Sequence, residues 1–215
     1  MKQKPLLIFG AGGHARVVAD VARKSEREIL GFFDDVNASR VGEDFCGGTV
    51  LGGMDKIDEV RDKYGDLEII VGVGDCKARV KIADHLRKSG VRLATLVHPA
   101  AVLATDVKIG KGTVVVAGAI VNSGSAIGDN VIINTAASVD HDCTIGSGTH
   151  IGPGARLGGQ VAIGDESWIG IGAIIKDRVS IGKSCVIGAG ALVLKDVADN
   201  TIAYGSPATA AKRKS

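Results

Sequence analysis

From Val97 to Val193 an aliphatic residue occupies every sixth position without a gap, running Val97, Leu103, Ile109, Val115, Val121, Ile127 and onward to Ile175, Ile181, Ile187 and Val193. The place four residues after each is always small (Ala, Val, Thr, Ser or Cys), from Ala101, Val107 and Thr113 through Cys185, Ala191 and Val197. A helix repeats about every 3.6 residues and a strand every two, so neither sustains this pattern. Seventeen hexads without an insertion are the signature of a β-helix, in which short strands coil and stack their inward side chains in columns. Three hexads make one turn of a prism-like coil, so residues eighteen apart should stack. Residues 97–200 are therefore expected to form the coil, and 201–215, with Gly205-Ser206-Pro207-Ala208, its cap and tail.

Glycine is abundant, at 31 residues, and falls mainly in this region as the second member of Ile-Gly pairs such as Gly110, Gly128, Gly146 and Gly152. Such pairs are expected at tight corners where a Cβ is costly. Scarce aromatics suit a narrow core of aliphatic columns. A net charge of +2 gives no electrostatic case for nucleic-acid or membrane binding. The basic stretch Lys212-Arg213-Lys214 reads first as a solvated end, and second as an attractor of a phosphorylated ligand. Cys143 and Cys185 fill the small inward slot and read as packing, while Cys46 and Cys76 make no CxxC pair or disulfide pattern. The opening lacks the look of a signal peptide, and no apolar run approaches the length of a membrane span. A cytoplasmic protein is the expectation.

Residues 1–96 have another rhythm. Leu6–Phe9, Ile29–Phe33 and Glu68–Val73 read as buried strands, Arg16–Lys24, Met54–Lys63 and Lys77–Ser89 as helices, and Arg92–Leu96 as extended. Strands alternating with helices imply a small parallel α/β sheet. Between the first strand and helix, Gly10, Gly12 and Ala15 match the spacing of a phosphate-cradling turn, whose backbone N–H groups face an anion at a helix start. Asp34 follows about twenty residues on, where an acid binds a ribose hydroxyl. Gly74, ending another strand, should share the crevice. The domain has room for one mononucleotide half, which favours a nucleotide-linked substrate over NAD. His14 is either a surface residue at the helix start or a ligand contact.

In the coil, polar residues with reactive side chains stand out in consecutive hexads: Asn134-Thr135, then Asp140-His141-Asp142-Cys143, then His150. At a corner Asp142 can turn to meet the His141 ring. A carboxylate on one ring nitrogen fixes the tautomer and raises the basicity of the other, as a general base requires. His150 is nine residues away, half a turn of the coil, so it sits on another side. No third histidine lies within the ladder to complete a zinc site.

Together Phe9-Gly10-Ala11-Gly12-Gly13-His14, Phe33-Asp34-Asp35, Gly72-Val73-Gly74-Asp75, Asn134-Thr135, Val139 to Cys143 and Gly205 to Ala208 carry a family resemblance. The chain resembles the hexapeptide-repeat sugar acetyltransferases, which include the bacterial nucleotide-4-amino-sugar N-acetyltransferases and the sialic acid O-acetyltransferases. The resemblance implies a left-handed β-helix, a homotrimer with sites between neighbouring coils, acetyl-CoA as co-substrate without a metal, and a nucleotide-linked amino-sugar held by the first domain. By position it implies His141 as the base and Asp142 as its acid, where the family commonly has glutamate. It implies His150 as an acetyl-CoA contact and Gly159 as a backbone N–H near the thioester oxygen. Ile171 and Ala189, the latter replacing a glycine, match positions lining the CoA channel. Gly12, Gly13, His14, Asp34, Asp35, Gly74 and Asn134 match substrate-binding positions. Acetylation of a sugar hydroxyl, a zinc hydratase on the same coil and a non-catalytic nucleotide-sensing scaffold are the rival readings.

Overall fold

A computed structural model describes residues 4–36 and 38–211; the basic stretch Lys212-Arg213-Lys214 lies outside them. The chain divides into two compact units, Met1–His98 and Pro99–Ser215.

In the first unit β1 (Leu6–Phe9), β2 (Ile29–Phe33), β3 (Asp44–Phe45), β4 (Gly48–Gly52), β5 (Glu68–Val71) and β6 (Arg92–Leu93) make one sheet, in the order β3-β4-β2-β1-β5-β6. All neighbours are parallel except the β3–β4 hairpin. The unbroken apolar run of β1 is buried throughout, as a central parallel strand covered on both faces must be. Leu7, Phe9, Phe33, Ile69 and Val71 share a core with Ile57 and Val60 of α2 (Ile57–Tyr64) and Ala83 and Leu86 of α3 (Cys76–Lys88). Helix α1 (Gly13–Lys24) buries Ala15, Val18, Ala19 and Ala22. It starts three residues before the expected Arg16, so Gly13 and His14 lie in its first turn. A short 3₁₀ turn, Met54–Lys56, precedes α2. The β3–β4 hairpin went unread in the sequence. Its two-residue turn, Cys46-Gly47, has both φ angles positive (47° and 69°), and cysteine is not a residue that announces such a turn.

Parallel pairing brings the carboxyl ends of β1, β2, β4 and β5 side by side. Gly10 N–H donates to Phe33 O (2.7 Å), Asp34 N–H to Gly52 O (2.8 Å) and Gly72 N–H to Phe9 O (2.7 Å). Ligands of open α/β sheets bind along such an edge.

In the second unit two-residue strands recur every six residues from Val102–Leu103 to Leu192–Val193. Three parallel walls result, each strand pairing with the one eighteen residues on, as in Val115↔Ile133↔Ile151↔Ile169↔Ile187. The second wall stacks Val121, Val139, Leu157 and Ile175, and the third Ile127, Ile145, Ile163 and Ile181. From Val115 to Val193 every column aliphatic is buried, and so is every small slot from Thr113 to Ala191. The buried hydroxyls are satisfied by the neighbouring coil. Ser125 Oγ, for example, donates to Asp140 O (2.7 Å) and accepts from Cys143 N (3.0 Å), as buried polar groups require. Cys143 and Cys185 occupy the same kind of slot, and their thiols face Gly158 O and Ala198 O.

The Ile-Gly glycines stand where a Cβ is costly, as expected, and the neighbouring coil is the reason. The left-handed corner lies two residues further on, where Asn130, Ala136, Asp142 and Gln160 have φ of 54–61°. The pair glycines are needed because the next coil lies against them: a Cβ on Gly152 would stand 2.6 Å from Ile169 O. The six-residue period ends at the last coil. Strand Ile202–Gly205 joins the wall through Ile187↔Ala203 and turns back as the antiparallel strand Ala208–Ala211.

Candidate active site

At the carboxyl edge of the first unit, Gly12 and Gly13 are exposed and a Cβ on either would meet nothing within 4 Å. The start of α1 is thus open to an anion. His14 is half-buried in that first turn. Asp34 is more occupied than the sequence suggests: its Oδ1 accepts Val36 N–H (2.8 Å) and its Oδ2 pairs with Arg40 (3.3 Å). Arg40, missed in the sequence, also donates to Ala11 O in the glycine turn (2.7 Å), tying the turn to the acid. Asp35 Oδ1 accepts Met54 N–H (2.7 Å) and fills the space a Cβ on Gly53 would take. Asp34, Asp35, Leu51, Gly53, Asp55 and Lys56 line a cavity of about 300 Å³ here. Gly74 ends the next loop, where Asp75 caps α3 by accepting Ala78 N–H (2.8 Å).

In the second unit the polar residues fall at two different corners. After the wall of Val121, Val139 and Leu157 stands the pair His141–Asp142. Asp142 has φ of 58°, a left-handed corner that aspartate tolerates, and this turns its carboxylate back to the ring. His141 Nδ1 and Asp142 Oδ2 are 2.8 Å apart, with both side chains more than half exposed. The hydrogen bond to Asp142 raises the His141 pKa most, burial opposes it, and the charges of Asp140 and Asp142 add smaller upward contributions. Two glycines make room for the pair. A Cβ on Gly124, one coil earlier, would lie 2.4 Å from Asp142 Oδ1; one on Gly159, one coil later, would lie 2.5 Å from His141 Nε2. The sequence placed Gly159 here by family position only. Gly124 carried no reactive group to draw notice.

At the corner after Ile133, Ile151 and Ile169 stand Asn134, Ile171 and Ala189, and His150 lies beside it on the wall itself, in the strand His150–Ile151. Asn134 Oδ1 accepts Thr135 N–H (2.8 Å), so its Nδ2 faces His150 Nε2 (3.0 Å). Both residues are buried, and the His150 ring packs on Trp168 with centroids 4.3 Å apart. Trp168 is a contact the sequence reading missed, although eighteen-residue stacking places it over His150. Ile171 and Ala189 are exposed on the same corner column. One chain therefore joins His141 to Asp142 and Gly159, and separately Asn134 to His150. Among the described residues no group of three His, Cys, Asp or Glu side chains could hold a metal ion, and no helix is long and apolar enough to cross a membrane.

Residues 5–86 match the family of the PglD N-terminal domain, and residues 124–159 and 161–195 match the bacterial transferase hexapeptide (six repeats). UDP-N-acetylbacillosamine N-acetyltransferase of Bacillus subtilis (strain 168) is 32% identical over 117 residues, 53% of this chain and 52% of that protein; the chain thus spans about half the length of this relative. The structure is similar to the acetyltransferase domain of PglB from Neisseria gonorrhoeae in complex with acetyl coenzyme A. That likeness has a TM-score of 0.91 and 36% identity, over 98% of this chain and 100% of that one. It is similar also to PerB from Caulobacter crescentus in complex with CoA and GDP-perosamine, at TM-score 0.91 and 35% identity over 97% of each chain. These likenesses give the coil its left hand, against the general preference for right-handed crossovers. Both halves match, in order and over nearly the whole chain, and the chain belongs to the hexapeptide-repeat sugar acetyltransferase family.

Proposed function

We propose that the protein transfers the acetyl group of acetyl-CoA to the 4-amino group of a nucleotide-linked amino-sugar, in the cytoplasm and for a bacterial glycan, with His141 as general base. The observation that carries this reading is the His141–Asp142 pair, whose Nδ1 is engaged at 2.8 Å and whose Nε2 faces the backbone of Gly159. The amine nitrogen attacks the thioester carbon while Nε2 takes its proton. The Gly159 N–H, which has no acceptor among the described residues, would donate to the oxygen that gains charge. The C–S bond then breaks and the CoA thiolate leaves with the proton from the imidazolium. No acetyl-enzyme is needed. Support for the acceptor comes from the open glycine turn, Asp34, Asp35 and Gly74 at one sheet edge, and from the GDP-perosamine and CoA held by PerB.

The two polar corners support a homotrimer. His150, Ile171 and Ala189 would meet acetyl-CoA on one chain and Asn134 the substrate, while the adjacent chain presents His141. The outward faces of Val102, Ile120 and Ile174, exposed on one wall, suit such a contact. Sedimentation equilibrium should find three chains, and a fully active monomer would overturn the arrangement.

The deciding test is acetyl transfer from labelled acetyl-CoA to UDP- and GDP-linked 4-amino-sugars, with free sialic acid alongside, read by mass spectrometry. A nucleotide-linked product is expected. Acetylation of sialic acid alone would move the chain to O-acetylation.

The pH profile follows from the His141 environment. A base acts when neutral, so raising its pKa moves the acid limb of kcat/KM above the ordinary imidazole value of about 6.5. Asp142→Asn removes the main cause of the shift and should move that limb downward, with a lower plateau. A limb that stays in place in this variant would dissociate Asp142 from the base.

A further inference from the structure

The exposed ring pair cannot hold itself. Ion pairs between solvated groups contribute little and leave side chains mobile, and both members here are more than half exposed. What keeps the ring over Gly159 must come through the backbone on which it is mounted. That backbone is held on every side. His141 O accepts Gln160 N–H from the next coil (2.8 Å), and Asp142 N–H donates to Ser123 O of the previous one (3.0 Å). The remaining group, His141 N–H, donates to Asp140 Oδ1 (2.7 Å). The same oxygen accepts Asn122 Nδ2–H at 2.9 Å. Asn122 stands one coil earlier, directly under Asp140, because Val121 and Val139 pair in register. Asp140 is fixed from a second direction, since its carbonyl accepts Ser125 Oγ–H (2.7 Å). Five hydrogen bonds thus converge on three residues at an otherwise open corner.

We propose that Asn122 and Asp140 are positioning residues for His141, clamping its peptide so that Nδ1 stays on Asp142 and Nε2 stays over Gly159. The proposal rests on the reading of His141 as the base. Neither side chain touches the reacting atoms; both act through the histidine. The two donors, Asn122 first and the His141 N–H second, hold the Asp140 carboxyl below its usual range. Asp140 therefore stays an acceptor across the working pH, and the clamp does not open where the base titrates. The charged groups that bear on the His141 ring are Asp140 and Asp142.

A double-mutant cycle separates positioning from mere stability. Asn122→Ala in the wild-type background should lower kcat roughly 10-fold, short of the about 10²-fold that a full ångström of misplacement costs. KM for acetyl-CoA should hardly move, and the NMR titration of the His141 ring should shift downward as its bond to Asp142 loosens. In the His141→Ala background the same change should cost nothing further. Asp140→Asn keeps the Oδ1 acceptor for both donors and should retain most of kcat, whereas Asp140→Ala should not. Equal losses from Asn122→Ala in both backgrounds, or an unmoved titration, would overturn the clamp while leaving the base intact. A His141→Ala variant with near wild-type activity would instead remove the base, and the clamp with it. If Asn122→Ala does not fold, Asp140→Ala in the same cycle gives the same reading.

Discussion

Replacing His141 with alanine is expected to lower kcat by about 10²–10⁴-fold, the range general base catalysis supplies, without loss of the fold. The side chain is more than half exposed and lies outside the aliphatic columns. The hydrogen bonds that hold the corner, from Gln160 N–H to His141 O and from His141 N–H to Asp140 Oδ1, are made by backbone that alanine retains. Thermal melting should therefore match the wild type closely. KM for acetyl-CoA should change little, because the base acts on a proton that moves only in the transition state. The loss should grow as pH rises through the raised His141 pKa, because only the neutral ring can take the proton of the attacking amine. Steady-state kinetics on the wild type and variant, with the melting curve beside them, decide the matter. A variant within a few-fold of wild-type kcat would remove His141 from the chemistry and leave amine attack unassisted.

How far the sequence reaches depends on how local the signal is. The hexads were legible because the β-helix is one-dimensional: each coil touches only its neighbours, so a period in sequence is a period in space. Stacking at eighteen residues follows at once, and the register of Val121 on Val139 agrees with it. His141 stood out for a related reason, as a titratable residue between two acids in a wall of otherwise inert side chains. The Ile-Gly pairs show the limit. Their frequency was plain, but whether glycine answers a left-handed φ or the approach of the next coil is a matter of three-dimensional distance, and the second proved to be the cause. The αL corner itself is taken by Asp142, and so the acid reaches the ring.

Residues whose partners lie one coil or one loop away left no pattern to read. Asn122 is an ordinary polar residue until Asp140 is seen above it, and Gly124 an ordinary glycine until Asp142 needs its space. Trp168 drew no reading from the sequence, yet it packs on the His150 ring. In the first unit Arg40 lies in a stretch with no periodicity, and only the fold carries it to Ala11 O and Asp34. The β3–β4 hairpin was hidden for the opposite reason, since a cysteine occupies a turn position that asparagine or aspartate usually marks.

Gly159→Ala should cost nearly as much activity as many direct deletions while leaving the coil intact. Gly159 does not have the positive φ that strains other residues, so alanine suits its backbone. The new Cβ, however, would stand 2.5 Å from His141 Nε2 and 2.7 Å from Cε1. The object in its way is the far end of an exposed side chain, which yields cheaply, so the melting temperature should barely fall. The ring yields by swinging off Asp142, and the 2.8 Å bond that sets its tautomer is lost. Misplacing a catalytic group by about an ångström costs about 10²-fold in rate, and kcat should drop by that order. Gly152→Ala makes the contrast. There the Cβ would meet Ile169 O at 2.6 Å, backbone that cannot step aside, and about 1–3 kcal/mol of stability should go instead. Parallel melting and kinetics on the two variants separate the cases. A Gly159→Ala enzyme that keeps wild-type kcat would mean that catalysis does not need the ring where it stands over Gly159, and the base would then have to work from another rotamer.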